Sequence, residues 1–214
     1  MTAAIRLGDV VNFFEYEKVR EDRRRRVIAL KERRRVEVGP YLSFVFENRE
    51  TLLFQIQEMC RAERIIDDAK VQEEIDVYSA LLPRPGELSA TLFIEIADKD
   101  QIKPVPDRFM GIDTGRHVWF EVGAGMTVPG AFEAGHSDEE KGKLAAVHFV
   151  RFAFSPEAAR AFRDSEVHLV VNHPAARARP TLRRRQGRAT DRPDPVTAAR
   201  GAAAFAYCMI MNQM

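Results

Sequence analysis

Phe44-Val-Phe-Glu-Asn-Arg-Glu-Thr-Leu-Leu-Phe-Gln-Ile-Gln-Glu-Met-Cys-Arg-Ala-Glu-Arg-Ile66 decides how this chain reads, because it passes from strand to helix within a few residues. Leu42, Phe44 and Phe46 alternate with Ser43, Val45 and Glu47, the period of a strand with one face in a core. Asn48 follows as a good helix N-cap, and Glu50 stands in the first turn, where the helix dipole favours an anion. The pattern predicts a helix from about Arg49 to Asp67. At about 100° per residue, Leu52, Ile56, Met59, Cys60 and Ile66 fall on one face, with Gln55 at its edge and Glu63 in its middle. A carboxylate inside an apolar stripe must be paired or shift its pKa. Glu63 is therefore the leading candidate for a functional residue, and Arg151 on a later strand is its candidate structural partner.

Working outward, Asp9 to Arg34 reads as a long charged helix with Phe13, Tyr16, Val19, Val27 and Leu30 along a stripe. Arg35 to Gly39 reads as a short strand turning at Gly39-Pro40. Downstream, Val71, Ile75, Tyr78 and Leu82 mark one side of an acidic helix that ends at Pro83 and Pro85-Gly86. Leu88 to Ala97 alternates as a strand, with Leu88, Ala90, Leu92, Ile94 and Ile96 on one face. Asp98 to Arg116 contains Pro104 and Pro106, which argue against a regular helix through its centre. Further strands are expected at His117–Val122, Val147–Phe154 and Val167–Asn172, with a glycine-rich loop after Val122. Ser155-Pro156 opens a helix to about Asp164. Strands separated by turns, with helices collected early, predict an α+β fold: a single domain over residues 1–174 with a largely antiparallel β-sheet packed by N-terminal helices, then an irregular tail over 175–214.

Composition narrows the function classes. Of 214 residues, 45% are hydrophobic, ample for a core. No apolar run approaches the roughly 20 residues that span a bilayer, and Met1-Thr-Ala-Ala-Ile-Arg lacks a secretory pattern, so a cytoplasmic protein is expected. The cysteines, Cys60 and Cys208, are far apart and form neither a disulfide framework nor a zinc pattern. The net charge of +1 hides an asymmetry: from Ala175 onward eight Arg against Asp191 and Asp194 give +6, leaving −5 on residues 1–174. An acidic body argues against general nucleic-acid binding. The Arg23–Arg26 cluster, with Glu21 and Asp22 beside it, reads as a solvated helix face, so nucleic-acid binding through it and the tail ranks third among the functional readings.

Glu15-Tyr-Glu17, Arg34-Arg-Val-Glu-Val-Gly39, Phe46-Glu-Asn-Arg-Glu-Thr51, Gln55-Ile-Gln-Glu-Met59 and Glu63-Arg64 recur as blocks of a known pattern. It continues with Tyr78-Ser-Ala-Leu-Leu-Pro83, Leu88-Ser-Ala-Thr-Leu92 with Glu95, Ala146-Val-His-Phe-Val-Arg-Phe152 and His173-Pro174. Over about Asp9 to Pro174 the chain resembles the bacterial domain-of-unknown-function 3501 family. That family is uncharacterised and supplies no catalytic residues. The resemblance implies an association with genes for rubrerythrin-like proteins and iron–sulfur oxidoreductases. After His173-Pro174 the sequence departs from the family into an Arg/Ala/Pro-rich stretch of the kind a GC-rich gene gives out of frame, so the tail is expected to be a frameshift product.

His148 is the second candidate: it shares a strand face with Val150, Phe152 and Phe154 and points toward an apolar interior. Beside Glu63 it would form a carboxylate–imidazole pair suited to iron, manganese or zinc, or to proton transfer. Glu95 and His173 are further candidate metal ligands; Gln55, Glu58, Tyr78 and Arg151 are candidate pocket or partner residues. Glu73, Glu74 and Asp76 read as a solvated helix face, and His117 and His136 as solvent-facing. Cys60 reads as an inert packed thiol, and Cys208, Met209, Met211 and Met214 resemble a soft-metal site only superficially. The paired Glu-x-x-His pattern of diiron bundles, a phosphate loop and a serine-nucleophile elbow are all absent from the sequence. The leading functional reading is an accessory or partner protein of a redox or oxidative-stress system; the alternative is a metal-binding protein or enzyme with a buried Glu/His site.

Overall fold

The alternation around Phe44 becomes a strand whose Leu42 and Phe44 enter the core, at 2% and 0% exposure. In the computed structural model, residues 4–96, 98, 100, 104–114, 116–133, 137–138 and 143–182 are described. They form two compact units. One draws on the described residues up to Arg33 and on Asn48–Leu82; the other draws on Arg34–Glu47 and the described residues from Pro83 to Leu182.

The first unit is helical: α1 (Phe13–Arg33), α2 (Arg49–Ala62) and α3 (Asp68–Ser79). Asn48 caps α2 as expected, its side chain accepting from the Thr51 N–H while Thr51 Oγ1 accepts from the Asn48 N–H. Asp67 is the N-cap of α3, accepting from the Ala69 and Lys70 N–H groups. Leu52, Ile56, Met59 and Cys60 are buried, as are Val71, Ile75 and Tyr78.

The helix expected to run to Asp67 instead stops at Ala62. Ile65 donates to the Cys60 carbonyl and Arg64 to the Arg61 carbonyl, with Arg64 left-handed at φ 56°. This is a Schellman closure with arginine where glycine is the usual residue. It turns the chain before Glu63 and Ile66 can join the buried stripe. Glu63 is exposed at the C-cap, and Ile66 is 82% exposed.

The second unit is built on β1 (Arg35–Val38), β2 (Leu42–Phe46), β3 (Glu87–Ile94), β4 (Val118–Val122), β5 (Met126–Phe132), β8 (Val147–Ala153), β9 (Val167–His173) and β10 (Ala176–Ala178). Two helices, α4 (Pro104–Arg108) and α5 (Pro156–Asp164), belong to it, and a small hairpin joins β6 (Ser137–Asp138) to β7 (Lys143–Leu144). The sheet order is β1-β2-β3-β8-β5-β4-β9-β10, with every pair antiparallel. The sheet curls into a nearly closed barrel: Phe46 of β2 meets Phe120 of β4 at 5.9 Å between ring centroids, although three strands lie between them in the order. The fold is α+β.

Two elements differ from the sequence reading. The stretch after Val122 is not only a loop: β5 crosses Pro129 and Gly130. A Cβ at Gly130 would lie 2.9 Å from Val150 Cγ2 and 3.2 Å from the Val118 carbonyl oxygen, so glycine here lets neighbouring strands approach. In the segment left unassigned, Pro104 and Pro106 sit within one turn of helix, where the first N–H groups need no intrahelical acceptor. The sheet also continues past Pro174, the expected domain end: β10 pairs with β9, and Leu182 donates to the Val167 carbonyl. The tail from residue 183 lies outside the described residues, as does His136.

Candidate functional site

The barrel interior is apolar, with buried imidazoles added at one end. Around Phe152, the rings of Phe46, Phe120 and Phe154 meet, and α5 adds Phe162 against Phe120 and Phe154. Ser155 caps α5 by accepting from the Ala158 N–H, which fixes where Phe162 enters. At the other end of the same strands, the segment 104–114 inserts Val105, Phe109 and Ile112, each at most 1% exposed. Fully burying such side chains contributes roughly 1.5–3 kcal/mol apiece.

His148 and His173 meet this segment. His148 is fully buried and points inward, as its strand alternation predicts. Its Nε2 donates to the Ala145 carbonyl at 2.8 Å, and its Nδ1 lies 3.5 Å from Asp113 Oδ2. The carboxylate that faces His148 is that of Asp113. Asp113 stood in the stretch whose prolines gave no periodicity, and only the return of that stretch into the barrel places it.

His173 is 3% exposed. Its Nδ1 accepts from the Ala175 N–H at 3.2 Å, which leaves the proton on Nε2 to donate to the Met110 carbonyl at 3.1 Å. Phe109 stacks on its ring at 5.7 Å between centroids, and the edge of His117 approaches to 4.7 Å. Burial, with His117 adding to it, holds His173 below the ordinary 6.5 despite the Met110 bond. His117 was expected to face solvent; it is half-buried, with Nδ1 2.9 Å from the Asn172 carbonyl.

The remaining candidates are dispersed. Glu58 accepts from Tyr16 Oη at 2.5 Å, from Arg20 Nε at 2.9 Å and from Arg20 Nη2 at 2.8 Å. Burial opposes its charge, but the Arg20 and Tyr16 bonds outweigh burial and lower its pKa below 4.5. Glu95 pairs with Arg35 and accepts from Ser43 Oγ at 2.6 Å. Arg151 pairs with Glu87 at 3.1 Å. Tyr78 is buried, and Gln55 is buried with its Nε2 making no hydrogen bond among the described residues. Burial raises the Glu74 pKa, and Glu63 and Glu73 add to it. Burial likewise pushes the Cys60 thiol up to about 11, so it is little ionised at neutral pH. Among the described residues, no three His, Cys, Asp or Glu side chains are grouped so as to hold a metal ion. No described helix is long and apolar enough to cross a membrane.

The model of the family described as "Protein of unknown function (DUF3501)" matches residues 4–190. The chain belongs to this family. Among solved structures it is similar to a novel protein of unknown function from Burkholderia pseudomallei K96243, with a TM-score of 0.77 and 28% identity over 85% of this chain and 94% of that one. No curated protein matches the chain. For the DUF3501 chain the family match thus carries the fold and no activity.

Proposed function

We propose that this protein works by holding a partner: it is an accessory protein of a redox or oxidative-stress system, and its partner is a rubrerythrin-like protein or an iron–sulfur oxidoreductase. One observation supports the accessory role above others. The charged and imidazole side chains that the sequence offered for chemistry are largely engaged inside the fold. Glu58 is held by Tyr16 and Arg20, Glu95 by Arg35 and Ser43, Arg151 by Glu87, and His173 by Met110 and Ala175. A general base or metal ligand needs a lone pair aimed at an open position, and these groups direct theirs at neighbours. The acidic body and the gene associations implied by the resemblance supply the redox context.

The test is sedimentation velocity on the purified chain mixed in turn with a rubrerythrin-like protein and an iron–sulfur oxidoreductase from the same organism. A complex of fixed stoichiometry with one of them is expected; two non-interacting mixtures would reject the reading. The buried Asp113–His148 pair favours a second reading, a metal-binding protein or enzyme with its site at that pair. Elemental analysis of protein purified without chelator separates the two. Stoichiometric iron, manganese or zinc that disappears in His148→Ala would favour the second.

A further inference from the structure

Segment 104–114 is held by imidazoles at two points, and the two meet opposite chemistry. His148 faces acceptors: the Ala145 carbonyl at Nε2 and the Asp113 carboxylate 3.5 Å from Nδ1. A proton added to His148 turns the second contact into an ion pair. His173 faces one acceptor and one donor, the Met110 carbonyl and the Ala175 N–H. A proton added to its Nδ1 sets two N–H groups against each other inside the fold, at a ring 3% exposed. We propose that His173 is an acid-released latch on segment 104–114: its protonation frees the Met110 end, while the Asp113–His148 contact keeps the other end seated.

The surroundings of His173 support this direction. From the segment come the Phe109 ring and the Met110 carbonyl; from the chain entering β4 comes His117, the titratable neighbour that acts on it. Charging His117 adds repulsion to a charged His173. The Asp113 carboxylate faces His148, while Asp107 and Arg108 of α4 and Arg177 of β10 are exposed. Burial already favours the neutral ring, so the added proton is disfavoured while the segment is seated and accepted once the ring is released. Val105, Phe109 and Ile112 limit the response to local opening, because their burial opposes expulsion of the segment.

Hydrogen–deuterium exchange on the full chain at about pH 7.5 and about pH 5, corrected for intrinsic exchange, tests the latch, with β3 and β8 amides as internal reference. Amides of 104–111 should lose protection by about tenfold for each unit by which the seated ring's pKa lies below that of the released ring. The reference strands should stay protected. His173→Gln, which keeps a donor for Met110 and does not titrate, should make protection independent of pH. Retention of the acid effect in that variant, or loss of protection in β3 and β8 at the same pH, would overturn the proposal. Should the variant not fold, NMR titration of the wild-type His173 ring decides. The latch requires the Nε2–H tautomer at neutral pH and loss of segment protection that follows this ring's own titration. A ring already charged at pH 7 would refute it.

Discussion

Glu58 and Glu63 lie near the end of the same helix and meet opposite fates. Glu58 is held by two partners, with its side chain 11% exposed; Glu63 stands in solvent at the C-cap. Removing the Glu58 charge leaves Arg20, itself 13% exposed, with only the exposed Glu21, so Glu58→Gln should lower stability by roughly 2–4 kcal/mol in urea unfolding at neutral pH. Glu63→Gln should leave the unfolding midpoint unchanged. The Glu58 pKa is lowered in the folded protein, so its contribution is complete above about 4.5 and is lost as pH falls through the folded value. Wild type should therefore lose more stability than Glu58→Gln on acidification below pH 4.5, and parallel losses would show that the pairing is not what stabilises α2. Both glutamates are visible in the sequence, but nothing local distinguishes them. Tyr16 and Arg20 reach Glu58 from a distant helix, and a single backbone turn removes Glu63 from the buried face.

At the scale of elements, caps, alternation and the ends of α1 and α5 were legible, and the end of α2 was not. Asn48 and Ser155 cap as the sequence implies, because an N-cap needs only a short polar side chain and the next turn. The end of α2 carries no glycine signal, because arginine takes the left-handed conformation there. Arg64→Gly should therefore raise stability by up to about 1 kcal/mol, measured by the unfolding midpoint. β5 follows a glycine-rich stretch that reads as a loop, and it carries Pro129 and Gly130 inside the strand. There glycine is a packing requirement: Gly130→Ala should cost roughly 1–3 kcal/mol in urea unfolding, since Val150 and Phe152 must shift to admit the Cβ. A variant as stable as wild type would mean that the strands relax around the added methyl.

Across the whole molecule, the two units offer separate probes. Trp119 on β4 reports the sheet, and Cys60 on α2 reports the helical unit. In a Cys208→Ser background, Cys60 should resist alkylation in the native protein and react once urea unfolds the helical unit, because it is buried and its thiol is pushed up to about 11. Prompt native labelling would show that this unit opens readily. Acid acts on the sheet unit through His173. Its lowered folded pKa means that its contribution is present above about 6.5 and is lost as pH falls toward the folded value, the same sign as for Glu58 but in a higher window.

Local pattern along the chain sets the α+β class, the strand-to-helix passage at Phe46–Arg49, the caps, and the inward direction of His148. Each of these depends on neighbours a few residues away, which set backbone torsions and decide which face is apolar. Only the tertiary structure decided that Glu63 is exposed and that Asp113, His117 and His173 gather with His148 around one segment. Glu63 is exposed because the chain turns at Arg64, and the others gather because a sheet curls and a proline-rich stretch returns to it; the chain's local pattern records none of these.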